Sequence, residues 1–566
     1  MSNKISYTCG TATEPLIGMT IGDAFDQTVA QYPDNEAIVS VHQQIRYSYW
    51  QLQKKVDQCA KAFMALGITK GDRVGIWSPN GVEWLITQIA TSKIGAILVN
   101  INPSYRLNEL EYALRQSGCK AIVSADRFKD SDYTEMLYEI APEIKTSDKT
   151  AVSSEKLPEL KHIISLSKDS RKGMLLWSDF IGIGKEVRKE TLAEVQAGLN
   201  FDDPINIQYT SGTTGYPKGA TLSHHNILNN GYLVTKVQNF SSQDRLVIPV
   251  PLYHCFGMVM GNLGCISHGA TMIYPKDSFE PRSVLETVEK EKATALYGVP
   301  TMFFALLNHP DFKQFDMSSL RTGIMAGSLC PSELMKRVNK EMHIAEMEIA
   351  YGMTETSPVS TQTRHDAPFE KQVSTVGRIM PHTEIKIIDP ETQQIVPIGE
   401  KGELCTRGYC VMLGYWNDTE RTAEAIDDAR WMHTGDIAIM DGEGYISIVG
   451  RIKDMIIRGG ENIYPKEIEE FLSRHEAISN VQVIGVPDEK YGETVCAWVQ
   501  LSRNAKLSPE EIIAYCKGQI AHYKIPKYIK FVEDFPITVT GKVRKIEMRK
   551  SSAEAIKNGS DQIWSQ

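Results

Sequence analysis

The stretch Tyr209-Thr-Ser-Gly-Thr-Thr-Gly-Tyr-Pro-Lys-Gly219 concentrates residue types that suit phosphate chemistry. Gly212, Gly215 and Gly219 let the backbone take positive φ and approach a ligand closely. Thr210, Ser211, Thr213 and Thr214 set hydroxyls beside amides, a nest for phosphate oxygens. Tyr216 and Pro217 lead into Lys218, which adds a mobile positive charge. No Gly-Lys-Ser/Thr stands at Walker spacing, so the loop is not of that class. A plain Ser/Gly tether seldom combines these residues with a Pro-Lys after a β-run, so phosphate binding is the expectation.

Other chemistry-bearing residues say less alone. Thr354 and Glu355, in Tyr351-Gly-Met-Thr-Glu355, read equally as a helix-start turn. Gly435-Asp436 reads as a plain turn. Ala326-Gly327-Ser328 follows a predicted strand and is either a strand-end turn or a backbone edge for a flat ligand. His254, in Pro251-Leu-Tyr-His-Cys-Phe-Gly257, suits a ligand border or an apolar core equally. Lys542, after Thr540-Gly541, is by itself a solvated loop lysine. Residues 524–550 hold eight cations, Lys524 to Lys550, against Glu533, Asp534 and Glu547. Such a stretch could meet a phosphate, although a solvated charged face is the plainer account.

These residues need elements to hold them. Helical periodicity runs through residues 20–65. Arg73–Trp77, an apolar helix from Val82 to Gly95 and Ala96–Asn100 begin a strand–helix–strand alternation, continued by Glu109–Gln116 and Ala121–Ser124. That order predicts parallel sheets with crossover helices. Residues 128–175 are polar and read as an excursion with weak elements. Strands resume at Ile205–Tyr209, Leu246–Pro249, Thr271–Tyr274, Ala295–Tyr297, Thr322–Met325 and Glu348–Ala350. From Thr383, short strands split by Gly- and Asp-rich turns predict a β-rich subdomain. Near Gly450–Asp454 a boundary separates a smaller α+β region, whose first helix opens at Pro465. The predicted fold class is α/β: a large N-terminal domain, 1–451, of βαβ layers plus the β-rich subdomain, and a small C-terminal domain, 452–566.

The bulk composition excludes several classes. At 566 residues the chain exceeds what one core supports. A net charge of -9 argues against nucleic acid as partner. The ten cysteines form no C-x-x-C pair, so buried free thiols are expected rather than disulfides or zinc. No apolar run reaches the roughly 20 residues of a membrane span. The start carries no leader-like pattern, which predicts a cytoplasmic protein, or a mitochondrial-matrix one if a leader was removed.

The motif series resembles the adenylate-forming superfamily, which includes acyl-CoA synthetases, luciferases and peptide-synthetase adenylation domains. Thr210–Gly219 is similar to its nucleotide loop, Tyr351–Glu355 to its second motif and Trp431–Asp436 to its third, with His433 where many members carry an aromatic. Gly450-Arg-Ile-Lys-Asp454 with Gly459-Gly-Glu-Asn462 resembles the domain junction, and Thr540-Gly-Lys542 the C-terminal lysine motif. The branch resembled is that of medium-chain fatty acid–CoA ligases, through Tyr409–Trp416 and Lys453–Pro465.

The resemblance implies ATP, Mg²⁺ and coenzyme A, and a fatty acid activated as an acyl-adenylate. It implies that the loop and Thr354 hold phosphate, that Glu355 ligates Mg²⁺, and that Tyr351 and Gly327 flank adenine. Asp436 and Arg451 take the ribose, and His254 borders the acyl site. Lys453 is the hinge of a mobile small domain that presents Lys542 for adenylation and Gly459-Gly460 for the thiol step. The chemistry is coherent: AMP converts a carboxylate, a poor acyl donor, into a good one, and charge at the α-phosphorus calls for fixed donors and a metal. Two other readings stay open, an acyl-AMP ligase loading a carrier protein and a silent adenylate or acyl binder. A homodimer is also left open.

Overall fold

The computed structural model describes residues 4–210, 217–328, 330–459, 461–503, 505–538 and 543–559, with the backbone of 564 and 565. The chain forms two compact units. The larger comprises Cys9–Glu384 and Thr406–Met432; the smaller comprises Met1–Thr8, Ile385–Cys405 and His433–Gln566.

Two sheets carry the larger unit. In the eight-stranded sheet the spatial order is Leu175–Leu176, His162–Ser165, Cys119–Ser124, Arg73–Trp77, Ile97–Asn100, Pro204–Thr210, Lys218–Ser223 and Gly414–Tyr415. The first six run parallel and the last two add on antiparallel. The nine-stranded sheet has a parallel centre that includes Arg245–Val247, Thr271–Tyr274, Ala295–Gly298, Thr322–Ala326 and Glu346–Gly352.

Helix Val82–Ile94 shows why such sheets need layers. Nearly all of its residues are buried, and its apolar side chains run around the whole circumference, as in a helix covered on every side. Its one buried cation, Lys93, is paired with Asp26 at 2.7 Å and Asp57 at 2.6 Å. A lone ammonium there would carry the full desolvation cost; two carboxylates remove it.

Most predicted strands stand within a residue or two of their expected places. Two features differ. Residues 20–65 are two helices, Ile21–Gln31 and Tyr49–Ala65, divided by the hairpin Glu36–Ser40 and Ile45–Ser48. Within the polar excursion, His162–Ser165 is a fully buried parallel strand.

The smaller unit has its own sheets. One has the order Tyr7–Cys9, Thr383–Ile388, Lys401–Gly408, Met432–Met440, Ile446–Arg451 and lies in this unit apart from strand ends. The other is built on Ile478–Asp488 paired antiparallel with Gly492–Leu501. Helix Pro465–Leu472 opens on its proline and buries Ile468 and Leu472. All ten cysteines are free, and nine are buried.

Candidate active site

In the larger unit, Pro204–Thr210 and Lys218–Ser223 pair antiparallel, with Thr210 opposite Lys218. Their junction carries the Gly/Ser/Thr loop, of which Ser211, Gly212, Thr213, Thr214, Gly215 and Tyr216 lie outside the described residues. The stem is tied down firmly. The Tyr209 hydroxyl donates to Gln116 Oε1 at 2.6 Å and the Tyr112 hydroxyl to the Pro217 carbonyl at 3.2 Å. Trp416 N–H donates to the Gly219 carbonyl at 2.7 Å.

Glu355 meets this stem. It sits in the 3-10 turn Thr354–Thr356 just after strand Glu346–Gly352, and only 5% of it is exposed. Its Oε1 accepts from Thr210 Oγ1 at 3.2 Å and from the Tyr415 hydroxyl at 2.8 Å. Burial, then the nearby Glu355 carboxylate, push the Tyr415 phenol well above its usual range, so it stays a donor. Lys218 Nζ stands over the Tyr415 ring, 4.9 Å from its centroid. The other oxygen of Glu355 accepts no hydrogen bond among the described residues. That leaves one lone-pair face of a fixed carboxylate for a hard cation such as Mg²⁺.

Tyr351 is half-buried on the same strand, opposite Thr361. Gly327 ends strand Thr322–Ala326 with φ +91, a left-handed conformation that glycine takes without strain.

His254 stands at the entrance to a π-helix, Phe256–Leu263, a form frequent at functional sites. Its ring lies 4.1 Å from that of Tyr253. Beneath it runs a buried polar ladder. Gln208 Nε2 donates to Asn206 Oδ1 at 2.8 Å, and Asn206 Nδ2 donates to Asn100 Oδ1 at 2.9 Å. Gln208 Oε1 accepts from Cys255 N–H at 3.1 Å. Both Asn100 and Gln208 donate to Met258 Sδ at 3.2 Å. The ladder fixes the chain just after His254. Burial raises the Cys255 thiol far beyond its usual range, which keeps it protonated and inert.

In the smaller unit, Asp436 lies opposite Arg451 on neighbouring antiparallel strands, and Arg451 Nε reaches Asp436 Oδ1 at 2.7 Å. Gly435-Asp436 lies within strand Met432–Met440 rather than in a turn, and the backbone there is tied on several sides. Gly435 takes φ +68 and donates its N–H to Glu403 Oε1 at 3.0 Å. Thr434 Oγ1 donates to the Leu404 carbonyl at 2.7 Å and accepts from Asp436 N–H at 3.1 Å. Lys453 is exposed on the short 3-10 turn Ile452–Asp454 that follows strand Ile446–Arg451. Gly459 has φ +60 and donates to the Tyr491 carbonyl at 2.9 Å. Gly460 and Lys542 lie outside the described residues.

The basic stretch 524–550 is largely paired within its own unit. Lys524 meets Glu467, Lys527 meets Asp488 at 2.8 Å, Lys545 meets Glu469 at 2.7 Å and Arg549 meets Asp454 at 2.8 Å. Arg544 pairs with Glu547 at 2.6 Å.

Sequence reasoning did not single out Tyr415, Glu403, Asn100, Asn206 or Gln208. Polar Asn206 and Gln208 alternating inside an otherwise apolar strand was the available signal for the ladder. Tyr415 and Glu403 act through partners far away in the chain, and nothing local marks them.

Comparison with known proteins agrees with this arrangement. Residues 25–416 match the family described as AMP-binding enzyme, and residues 467–542 match the AMP-binding enzyme C-terminal domain. YngI of Bacillus subtilis (strain 168), named provisionally as an acyl-CoA synthetase, is 49% identical over 97% of this chain and all of its own length. The mitochondrial medium-chain acyl-CoA ligase ACSF2 of Danio rerio is 47% identical, covering 97% of this chain and 91% of that protein. The solved structure of the anthranilate CoA ligase AuaEII, in complex with anthranoyl-AMP, superposes with TM-score 0.83 at 26% identity, covering 96% of this chain and 99% of that one. The chain therefore belongs to the AMP-binding enzymes, the adenylate-forming superfamily that its motifs resemble, in the acyl-CoA synthetase branch.

Proposed function

We propose that this chain joins medium-chain fatty acids to coenzyme A, through an acyl-adenylate, with the residue roles given below. ATP, Mg²⁺ and coenzyme A are the reagents of this ligase chemistry. The medium-chain preference rests on likeness to relatives bearing that name, at 47% identity over 97% of the chain for the Danio rerio protein.

The observation that carries the roles is the Glu355 carboxylate, with one oxygen fixed by Thr210 and Tyr415 and the other accepting from no donor among the described residues. Glu355 would hold Mg²⁺ through that second oxygen. When bound, the metal supplies charge stabilisation at the phosphates. The loop Thr210–Lys218 and Thr354 hold the phosphate oxygens by hydroxyls, amides and the Lys218 charge. Tyr351 and the Gly327 backbone take the adenine, and Asp436 accepts from the ribose hydroxyls with Arg451 beside it.

In the first half-reaction a carboxylate oxygen of the fatty acid attacks the α-phosphorus and pyrophosphate leaves. Lys542 supplies a second, mobile charge to the oxygens that gain charge there. In the second, the coenzyme A thiol attacks the acyl carbon and AMP leaves. Gly459-Gly460 line the thiol side, and His254 borders the acyl chain. Lys453, at the boundary between 1–451 and 452–566, is the hinge between the two steps. We place the protein in the cytoplasm, with the mitochondrial matrix as the location if the chain is preceded by a leader; among the described residues no helix is long and apolar enough to cross a membrane.

The test is thioester formation with a panel of acids from acetate to palmitate. Octanoate should exceed both ends of the panel. A maximum at acetate or palmitate contradicts the chain-length assignment. Pyrophosphate release without any thioester on free coenzyme A would favour a carrier-protein ligase instead. Sedimentation of the purified protein decides between monomer and homodimer.

A further inference from the structure

Glu403 and Cys405 stand two apart on strand Lys401–Gly408, so their side chains share one face of the sheet. The neighbouring strand, Met432–Met440, brings His433 up to them. His433 Nδ1 lies 3.0 Å from Glu403 Oε2 and 3.7 Å from Cys405 Sγ. One ligand atom from each of the three falls within 4.8 Å of the others. Among the described residues this is the one such cluster of metal-ligating side chains. The cysteine spacing predicted no zinc, because that criterion looks for Cys pairs near in sequence and these donors come from two strands.

We propose that Glu403, Cys405 and His433 form a binding site for a borderline-soft divalent cation of the zinc class. Zinc bonds to sulfur at about 2.3 Å and to nitrogen or oxygen at about 2.0–2.2 Å, which sets tetrahedral donor–donor edges of roughly 3.3–3.6 Å. The two edges to His433 bracket that range and need adjustments of a few tenths of an ångström, and the Glu403–Cys405 edge lies within 4.8 Å. Thiolate with imidazole selects zinc, cobalt or copper over Mg²⁺, which separates this site chemically from Glu355. Glu403 is already oriented: its Oε1 accepts from Gly435 N–H at 3.0 Å, which turns Oε2 toward His433. Such outer support is what holds a metal-ligating carboxylate in place. Glu403 and Cys405 are buried, and His433 is partly exposed, which gives an entry path. Three protein donors leave the fourth position for water or an added ligand. On binding, the Cys405 thiol gives up its proton to solvent and the thiolate bonds to the cation.

Cobalt(II) is the probe, because a cobalt–thiolate bond absorbs strongly in the near ultraviolet. Titration of the purified full-length chain, freed of metal with a chelator, should give this band at one equivalent, and zinc should bleach it. Cys405→Ser should abolish the band, and His433→Gln should weaken cobalt binding at least about tenfold, the usual scale for disturbing a metal site. Circular dichroism establishes that each variant is folded; Cys405→Ala serves if the serine variant is not. The folded wild-type chain giving no thiolate band overturns the proposal, as does a band that survives in the Cys405 variants, since another cysteine would then be the ligand.

Discussion

Tyr415 tests how finely Glu355 is held. Its hydroxyl is one of two donors on Oε1 among the described residues, at 2.8 Å, and burial keeps it protonated. Tyr415→Phe removes that donor and little volume. A hydrogen bond to a charged group contributes about 1.5–3 kcal/mol, so kcat/KM for ATP should fall on the order of tenfold or more. Steady-state kinetics on the variant checks this; an unchanged kcat/KM would mean that Thr210 alone suffices. Glu348 makes a separate prediction in pH. Burial pushes its carboxyl up to about 8, with the Gln362 amide 2.5 Å away opposing the shift. A carboxyl whose folded pKa lies above its unfolded value binds more protons in the native state. Its stabilising contribution is therefore complete below the unfolded pKa of about 4.3 and is lost as pH rises toward 8. Glu348→Gln should flatten the decline of melting temperature across that window; an identical pH profile would show that Glu348 is not responsible. The residue scale was legible where chemistry is local. The Gly/Ser/Thr loop stood out by type and spacing and Asp436 only through the family resemblance, whereas Tyr415 gains its role only when strand Gly414–Tyr415 pairs with Lys218–Ser223.

At the scale of elements, the short turn Ile452–Asp454 is where backbone freedom matters most to the proposed function. Lys453→Pro fixes φ there and removes an N–H. Pre-steady-state assays that separate the two half-reactions should show adenylate formed at near the normal rate and thioester formation slowed. Equal loss of both steps would argue against a hinge at this position. Strands with β-branched runs between turn residues, such as Arg73–Trp77 and Thr271–Tyr274, were readable to the residue. The hairpin Glu36–Ser40 and Ile45–Ser48 was not, because its four-residue link sits between two helices of strong periodicity that mask it. His162–Ser165 escaped for the opposite reason: a four-residue buried strand in a polar neighbourhood has too little pattern to register. The π-helix was visible only as an apolar run, since period alone does not separate it from an α-helix.

For the whole molecule, the alternation of strands and helices predicted the parallel sheets correctly, and each sheet adds antiparallel strands at an edge that no periodicity announces. The compact smaller unit gathers segments from both ends of the chain, a grouping set by pairing of distant strands. The central claim is that the chain makes an acyl-adenylate before any thiol is present. Octanoate-dependent exchange of labelled pyrophosphate into ATP, measured without coenzyme A, tests it most directly. The wild-type chain should support exchange only with acid and Mg²⁺ present, and Lys542→Ala should reduce it by at least about 10²-fold, the scale of one lost charge-stabilising donor. Exchange that required coenzyme A, or none with any acid of the panel, would contradict the account.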